Sequence, residues 1–284
     1  MNDTMNDTMY KKIVVPLDGS PLAEVALPYA EELAGRIGSE MVLLSVLSSE
    51  DIEECQNHYS YMEKIVDMTM HEVKKYADGH GDCAVCTATR VGNPAQGILD
   101  YVDRGHLCLI VMATHGRSGL SRLAIGSVAD KVVRSSTRQP LLLIRARGAH
   151  ADIRAKRIFK KALLPLDGSP ESEAILPVIT TLAAGLHMEL ILLKVVPESN
   201  SSLASVEHYL QNWCQQFEDK GIPARYKIRI GAPADQIIDL ADESACDIVA
   251  MATHGHAIGN LWPLGSIAQK VLLEGNTPLL LVRA

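Results

Sequence analysis

The residues most able to do chemistry lie in "VMATHGRSGLSRLAIGSVADK" (111–131). Gly116 follows a strongly apolar run, where the backbone must turn sharply. After nine intervening residues, Gly126-Ser127 directly precedes a helical segment. A helix N-terminus presents unpaired N–H groups and the positive end of a dipole, which seats a phosphate. A glycine there lets the phosphate approach the backbone, and the Ser127 hydroxyl adds a donor. Asp18 ends another apolar run, "KIVVPLD" (12–18). If the two run ends face one crevice, its carboxylate would accept hydrogen bonds from ribose hydroxyls or hold Mg²⁺. The layout recurs as Asp167, Gly255, Gly265 and Ser266. For one such spacing alone the plain alternative is that Gly116 and Gly126 make turns and Ser127 caps a helix, because lone glycine spacings are weak signals. Asp18 and the duplicated layout favour the ligand site.

Other reactive side chains are weaker candidates. His115 and His254 occupy matching turn positions, and without a visible orienting partner they read as turn histidines bonded to backbone rather than proton donors. His58, His71 and His80 lie in or beside a long helical region and are expected to face solvent. His58 and Glu54 stand at the helical i, i+4 spacing of a metal pair, but no third ligand can be named. Cys83 and Cys86 form a lone C-x-x-C on an expected strand, "CAVCTATR" (83–90), where positions i and i+3 point to opposite faces. The six cysteines read as reduced thiols, and no metal site is expected. A G-x4-G-K-[ST] loop is absent from the chain, and no Ser-His-Asp or metal-hydrolase spacing stands out, so no catalytic residue is assigned.

The elements that must position these residues come in two copies. "KKIVVPLDGSPLAEVALPYAEELAGRIGSEMVLLSV" (11–46) aligns without a gap on "KKALLPLDGSPESEAILPVITTLAAGLHMELILLKV" (160–195). "RVGNPAQGILDYV" (90–102) matches "RIGAPADQIIDLA" (229–241), and "QPLLLIRA" (139–146) matches "TPLLLVRA" (277–284). The chain therefore reads as a disordered tail (1–9), a first domain (10–147), a polar linker (148–157) and a second domain (158–284). In the first domain short apolar runs alternate with helical patterns. Ser20 is placed to cap a helix with Pro21 at its first position. Leu22, Val25, Ala26, Tyr29, Ala30 and Leu33 then form an apolar face, kinked at Pro28 (Pro177 in the second half) and closed by Gly35 and Gly38. A second helical region spans about 57–78, with Met62, Ile65, Val66, Thr69, Met70 and Val73 on one face. Asn93-Pro94 starts another helix, with Gln96 placed to complete a capping box. Runs apolar on both faces predict a parallel sheet covered by helices on both sides, so each half is expected to be a doubly wound α/β domain.

Composition sets the outer limits. Hydrophobic residues make up 47% of the chain and aromatics 4%, which suits buried parallel strands. The net charge of −7 gives no basic footprint for nucleic acid, no apolar run approaches a membrane span, and the N-terminus lacks the pattern of a secretion signal. A cytoplasmic protein is expected.

With these motifs in place, the chain resembles the universal stress protein family in its tandem two-domain form. The family's nucleotide motif is Gly-x2-Gly-x9-Gly-Ser/Thr. Its second and third glycines match Gly116 and Gly126, its last position matches Ser127, and the second half supplies Gly255, Gly265 and Ser266. The first motif glycine is replaced by Ala113 and Ala252, which places a methyl at the crevice floor. The resemblance implies five-stranded parallel sheets in the order 3-2-1-4-5. It also implies adenine meeting backbone at Val46 and Met112, with Val128 completing the loop into the helix; the second-half counterparts are Asp167, Val195, Met251 and Ile267. The expected cofactor is ATP or AMP, with or without Mg²⁺.

Three function classes stay open: a nucleotide-binding stress-response regulator, a slow ATPase using the same pocket, and a nucleotide-independent interaction protein of this fold. The apolar strands "PLLLIRA" and "PLLLVRA" would be hazardous as exposed edges. The halves are accordingly expected to pair as an intramolecular pseudo-dimer, which a further homodimer could extend; the protein partner is not readable. The first half is expected to hold the better site. Its loop "RSGLSRLAI" (117–125) carries Arg117, Arg122 and Gly119, suited to phosphate oxygens, whereas "HAIGNLWPL" (256–264) has no Arg or Lys and adds Trp262-Pro263.

Overall fold

The computed structural model describes residues 10–48, 52–77, 83–103, 107–115, 125–136, 139–145, 157–197, 203–254 and 264–284. The chain divides into two units, Met1–Ala146 and Arg147–Ala284.

In the first unit the apolar runs become parallel strands: β1 (Lys12–Leu17), β2 (Glu40–Leu47), β3 (Val85–Val91), β4 (Cys108–Ala113) and β5 (Leu141–Ile144). Their order is β3-β2-β1-β4-β5. Every residue of β4 and β5 is buried, as expected of strands covered on both faces, while β3 at the outside is largely half-buried or exposed. The connecting helices are α1 (Pro21–Glu24), α2 (Leu27–Ile37), α3 (Ile52–Tyr76), α4 (Pro94–Asp103) and α5 (Ser127–Ser135). The chain runs outward from β1 through β2 to β3, then returns to β4 on the other side of β1. The loops after β1 and β4 therefore part from each other, and the crevice between them is where ligands of such sheets bind.

Several helix ends refine the sequence reading. Ser20 caps α1, its Oγ accepting from the Ala23 N–H at 3.2 Å, with Pro21 next. The expected single kinked helix is instead two, α1 and α2, separated at Val25–Ala26. Pro28 falls in the first turn of α2, where its missing N–H costs nothing. Gly38 closes α2 with φ 70°, a left-handed conformation suited to glycine. Gly35 does not close the helix. It lies inside α2, where a Cβ would come within 2.6 Å of the Tyr76 Cβ and 2.7 Å of the Val73 carbonyl oxygen of α3. The long helical region begins earlier than the expected 57, at Ile52. At α4 only half of the capping box forms. The Gln96 N–H donates to Asn93 Oδ1 at 3.1 Å, but the Gln96 side chain reaches forward to Asp100 instead of back.

The described cysteines are separate thiols. Strand β3 begins at Val85, so Cys83 precedes it; its Sγ donates to the Ala34 carbonyl, while Cys86 Sγ donates to Glu40. Burial pushes Cys86 up to about 11 and Cys108 up to about 12. In the second unit it raises Cys214 and takes Cys246 to about 12.

The second unit repeats the plan with β6 (Lys161–Pro165), α6 (Pro170–Glu173), α7 (Leu176–Leu186), β7 (Glu189–Val196), α8 (Leu203–Glu218), β8 (Ala224–Ile230), α9 (Pro233–Glu243), β9 (Ile248–Ala252), α10 (Ser266–Glu274) and β10 (Leu279–Val282). Its sheet order is β8-β7-β6-β9-β10, all parallel. α8 has 16 residues against 25 in α3, which is where the second copy saves length. Ala184 stands at the aligned position of Gly35, and the left-handed helix end falls on His187 at φ 52°. Among the described residues no helix is long and apolar enough to cross a membrane.

One buried carboxyl makes stability depend on pH. Glu31 of α2 is 8% exposed. Burial, reinforced by Glu72, raises it to about 7, against the opposing effects of a Thr69 hydrogen bond and Lys75. The folded state therefore holds this proton more tightly than the unfolded chain, whose glutamates titrate near 4.3. The resulting stabilisation is complete below that value and is lost as pH rises to about 7. Glu31→Gln is expected to be more stable than wild type at pH 8, by roughly 3–4 kcal/mol on the 1.36 kcal/mol per pKa unit scale. Urea unfolding at pH 4 and pH 8 checks this: the two proteins should converge at pH 4.

Candidate functional site

A cavity of about 290 Å³ opens at the carboxyl ends of β1, β2 and β4 in the first unit. It has two chemically different parts. The apolar part is walled by Val46 of β2, Ile98 of α4, and Met112 and Ala113 of β4. α4 is pressed against Val46, because a Cβ on Gly97 would lie 2.9 Å from a Val46 methyl. The polar part is formed by the side chains of Asp18, Ser45 and Ser127 together with the backbone at Gly126 and Val128.

The polar end is built by a strand-to-helix crossing. The Gly126 N–H donates to the Thr114 carbonyl, just past β4, at 2.8 Å, and Gly265 does the same to Thr253 at 2.8 Å. At Gly265 a Cβ would sit 2.8 Å from that carbonyl oxygen, so glycine is needed for the close approach itself. The N-caps of α5 and α10 are Gly126 and Gly265, not the serines. Neither provides a side-chain cap, which leaves the first turn of N–H groups to be satisfied by something other than a capping side chain. Ser127 is the first helical residue and is exposed beside that turn.

Asp18 shapes the opposite lip. Its Oδ1 accepts from the Ser20 N–H at 3.0 Å and from Ser20 Oγ at 2.6 Å, so the carboxylate also organises the turn into α1. Asp167 does the same with Ser169 at 2.9 and 2.6 Å. A second link is duplicated: Tyr61 Oη donates to Glu24 at 3.1 Å, and Tyr209 Oη to Glu173 at 2.7 Å, tying α3 and α8 to the short helices after these turns.

Within the first unit the cavity brings together Asp18, Val46, Met112, Ala113, Gly126, Ser127 and Val128. Gly116, Arg117, Arg122 and Gly255, with both nine-residue loops except their last residues, Ile125 and Leu264, lie outside the described residues. In the second unit Met251 and Ala252 end β9, Val195 lies in β7, and Gly265, Ser266 and Ile267 begin α10. His115 Nδ1 shares a hydrogen bond with Thr114 Oγ1 at 3.0 Å, and His254 with Thr253 at 3.1 Å, a side-chain partner where the sequence reading expected backbone. Among the described residues no cluster able to hold a metal is found.

His58 corrects the sequence reading: it lines the cavity rather than facing solvent. The signal was present, since His58 stands four residues before Met62 on the face that continues through Ile65 and Thr69. His71 is exposed, as expected, and His80 lies outside the described residues. Ser45 and Pro94 were also missed, because nothing in a strand-end serine or a helix-initiating proline marks it as cavity wall.

Two tandem doubly wound units, each with a helix N-terminus at the sheet's reversal point, define the class of protein. The family model described as universal stress protein family matches residues 9–145 and again 158–283. The chain belongs to the universal stress protein family. A universal stress protein of Methanocaldococcus jannaschii is 30% identical over 146 residues, covering 49% of this chain and 84% of that one. A universal stress protein of Synechocystis aligns along 96% of this chain and 100% of its own, at 21% identity. The crystal structure of a universal stress protein from Archaeoglobus fulgidus shares the fold, with a TM-score of 0.71, 17% identity and 96% of each chain covered.

Proposed function

We propose that the protein is an adenine-nucleotide-binding regulator of the stress response, with ATP or AMP held in the first unit's cavity. The observation that carries this reading is the pairing of an apolar pocket with a helix N-terminus that has no side-chain cap. Val46, Met112 and Ala113 suit a flat, weakly polar base. The first-turn N–H groups of α5 and the Ser127 hydroxyl suit phosphate oxygens. Asp18, on the opposite lip, suits ribose hydroxyls or an accompanying Mg²⁺. The Ala113 methyl belongs to the apolar wall, so replacement of the family's glycine is compatible with this division. A cytoplasmic setting goes with the proposal.

Binding rather than turnover is the expected activity. The pocket's polar end is rich in donors, and its turn histidine is engaged with Thr114. A turnover number far below the ~10 s⁻¹ median of enzymes is expected. The deciding experiment is the nucleotide content of freshly purified, denatured protein, followed by calorimetric titration with ATP and AMP. Adenine nucleotide in the purified material, or saturable binding by either titrant, is expected. Failure of both would leave the fold as an interaction module. Rapid phosphate release under single-turnover conditions would replace the regulator with an ATPase.

A further inference from the structure

The two halves differ at one position of their crevices in a way that changes the chemistry. Ser45 in β2 aligns with Lys194 in β7. Ser45 lines the first unit's cavity with a small, buried hydroxyl. Lys194 carries a four-carbon stem and an ammonium to the corresponding place. Its Nζ donates to the Asp167 backbone carbonyl at 2.5 Å and lies 3.0 Å from where a Gly168 Cβ would be. It also rests 5.3 Å from the centroid of the Tyr209 ring, within cation–π range. The ammonium thus lies on the Asp167–Gly168 turn past β6, the counterpart of the Asp18 turn that lines the first unit's cavity, beside the tyrosine that holds α8 to Glu173.

We infer that Lys194 is a built-in occupant of the second unit's crevice, so that adenine nucleotide is taken by the first unit alone. This rests on the nucleotide reading of the first cavity. The ammonium covers the turn whose carboxylate would meet a ribose, and its stem takes up space that Ser45 leaves open. Displacing it would separate the cation from the Asp167 carbonyl and the Tyr209 face, and a nucleotide's binding energy would have to exceed that loss. Desolvation lowers the Lys194 pKa, while Asp167 and Glu173 act to raise it, which places both carboxylates close to the ammonium. The asymmetry therefore resides in the strand end itself, independently of the loops at 117–125 and 256–264.

Reciprocal exchange tests it, using the full chain and ATP as titrant. Wild type is expected to bind one ATP per chain, Lys194→Ser two, and Ser45→Lys to lose the original site by at least about tenfold in Kd, or about 1.4 kcal/mol. Lys194→Met, which keeps bulk without charge, separates filling from charge: a second site in Lys194→Ser but not in Lys194→Met assigns the block to volume, and in both to the ammonium. Two sites in wild type, with one lost in Lys194→Ser, would make the lysine a ligand contact and overturn the inference. One site in wild type and Lys194→Ser alike, with Ser45→Lys unchanged, would also overturn it while leaving the nucleotide reading intact. A wild type that binds no ATP overturns the nucleotide reading itself, and this inference with it.

Discussion

Aspartate in place of Ser127 is expected to weaken ATP binding by at least about 100-fold, equivalent to roughly 2.8 kcal/mol, and to leave the fold as stable as before or slightly firmer. The two effects have opposite signs because one structural feature produces both. Ser127 is the first residue of α5, exposed, after a glycine N-cap that offers no side chain to the first-turn N–H groups. A carboxylate there meets the positive end of the helix dipole, a stabilising placement of about 0.3–1 kcal/mol. The same carboxylate occupies the proposed phosphate seat. It removes a hydroxyl donor, worth roughly 1.5–3 kcal/mol when its partner is charged, and adds like-charge repulsion of several kcal/mol. Adenosine provides the control. Lacking phosphates, it should bind wild type and Ser127→Asp alike, and equal losses for ATP and adenosine would place the phosphates elsewhere. Thermal melting of the variant without ligand checks the other sign.

Gly35→Val should destabilise the first unit by about 1–3 kcal/mol, the usual cost of overpacking a close-packed site. Helix propensity alone argues the opposite, since glycine is the poorest ordinary residue in a helix interior. Sterics decide the balance. The Val73 carbonyl oxygen and the Tyr76 Cβ of α3 already lie 2.7 and 2.6 Å from the position a Cβ would take. These are a backbone atom and a side-chain root, neither able to rotate away, so α3 would have to shift as a body. The second unit contains the natural counterpart, Ala184, opposite a shorter helix. Ala184→Val therefore serves as the matched control and should cost less. Urea titration of both variants distinguishes them, and equal losses would remove α3 from the explanation.

These two positions show what could be read from the chain and what could not. The turn at Asp18 and the cap at Ser20 follow from local pattern and internal duplication, because the physics that sets them lies within a few residues, whereas the strand order is a long-range property that only the family resemblance implied. Gly35 reads as a helix end in the sequence because its partner, Tyr76, lies far along the chain, and a glycine near the end of a helical pattern looks like a stop. The single helix expected through Pro28 failed for a related reason. Periodicity continues across Val25–Ala26, whereas the hydrogen-bond ladder does not. Residue type alone points His58 to solvent, although its spacing from Met62 places it on the face that lines the cavity. Lys194 stood in plain view opposite Ser45 in the alignment, but its consequence depends on where a strand end projects, which the alignment does not contain. The arginines at 117 and 122 and the motif glycines Gly116 and Gly255 lie outside the described residues, so they remain expectations drawn from the sequence.

The perturbed thiols give each unit its own clock. Alkylating reagents attack the thiolate, and a thiol near 12 exposes only about one part in ten thousand of that form at pH 8. Cys108 sits in β4 of the first unit, and Cys246 lies just ahead of β9 in the second, both buried and both near 12. Modification of either must wait for its sheet to open and the thiol to return to its ordinary acidity. Pulse labelling followed by peptide mass measurement thus times the opening of the two copies separately within one molecule, without an added probe. Any ligand that steadies one copy alone would slow one cysteine and leave the other at its own pace.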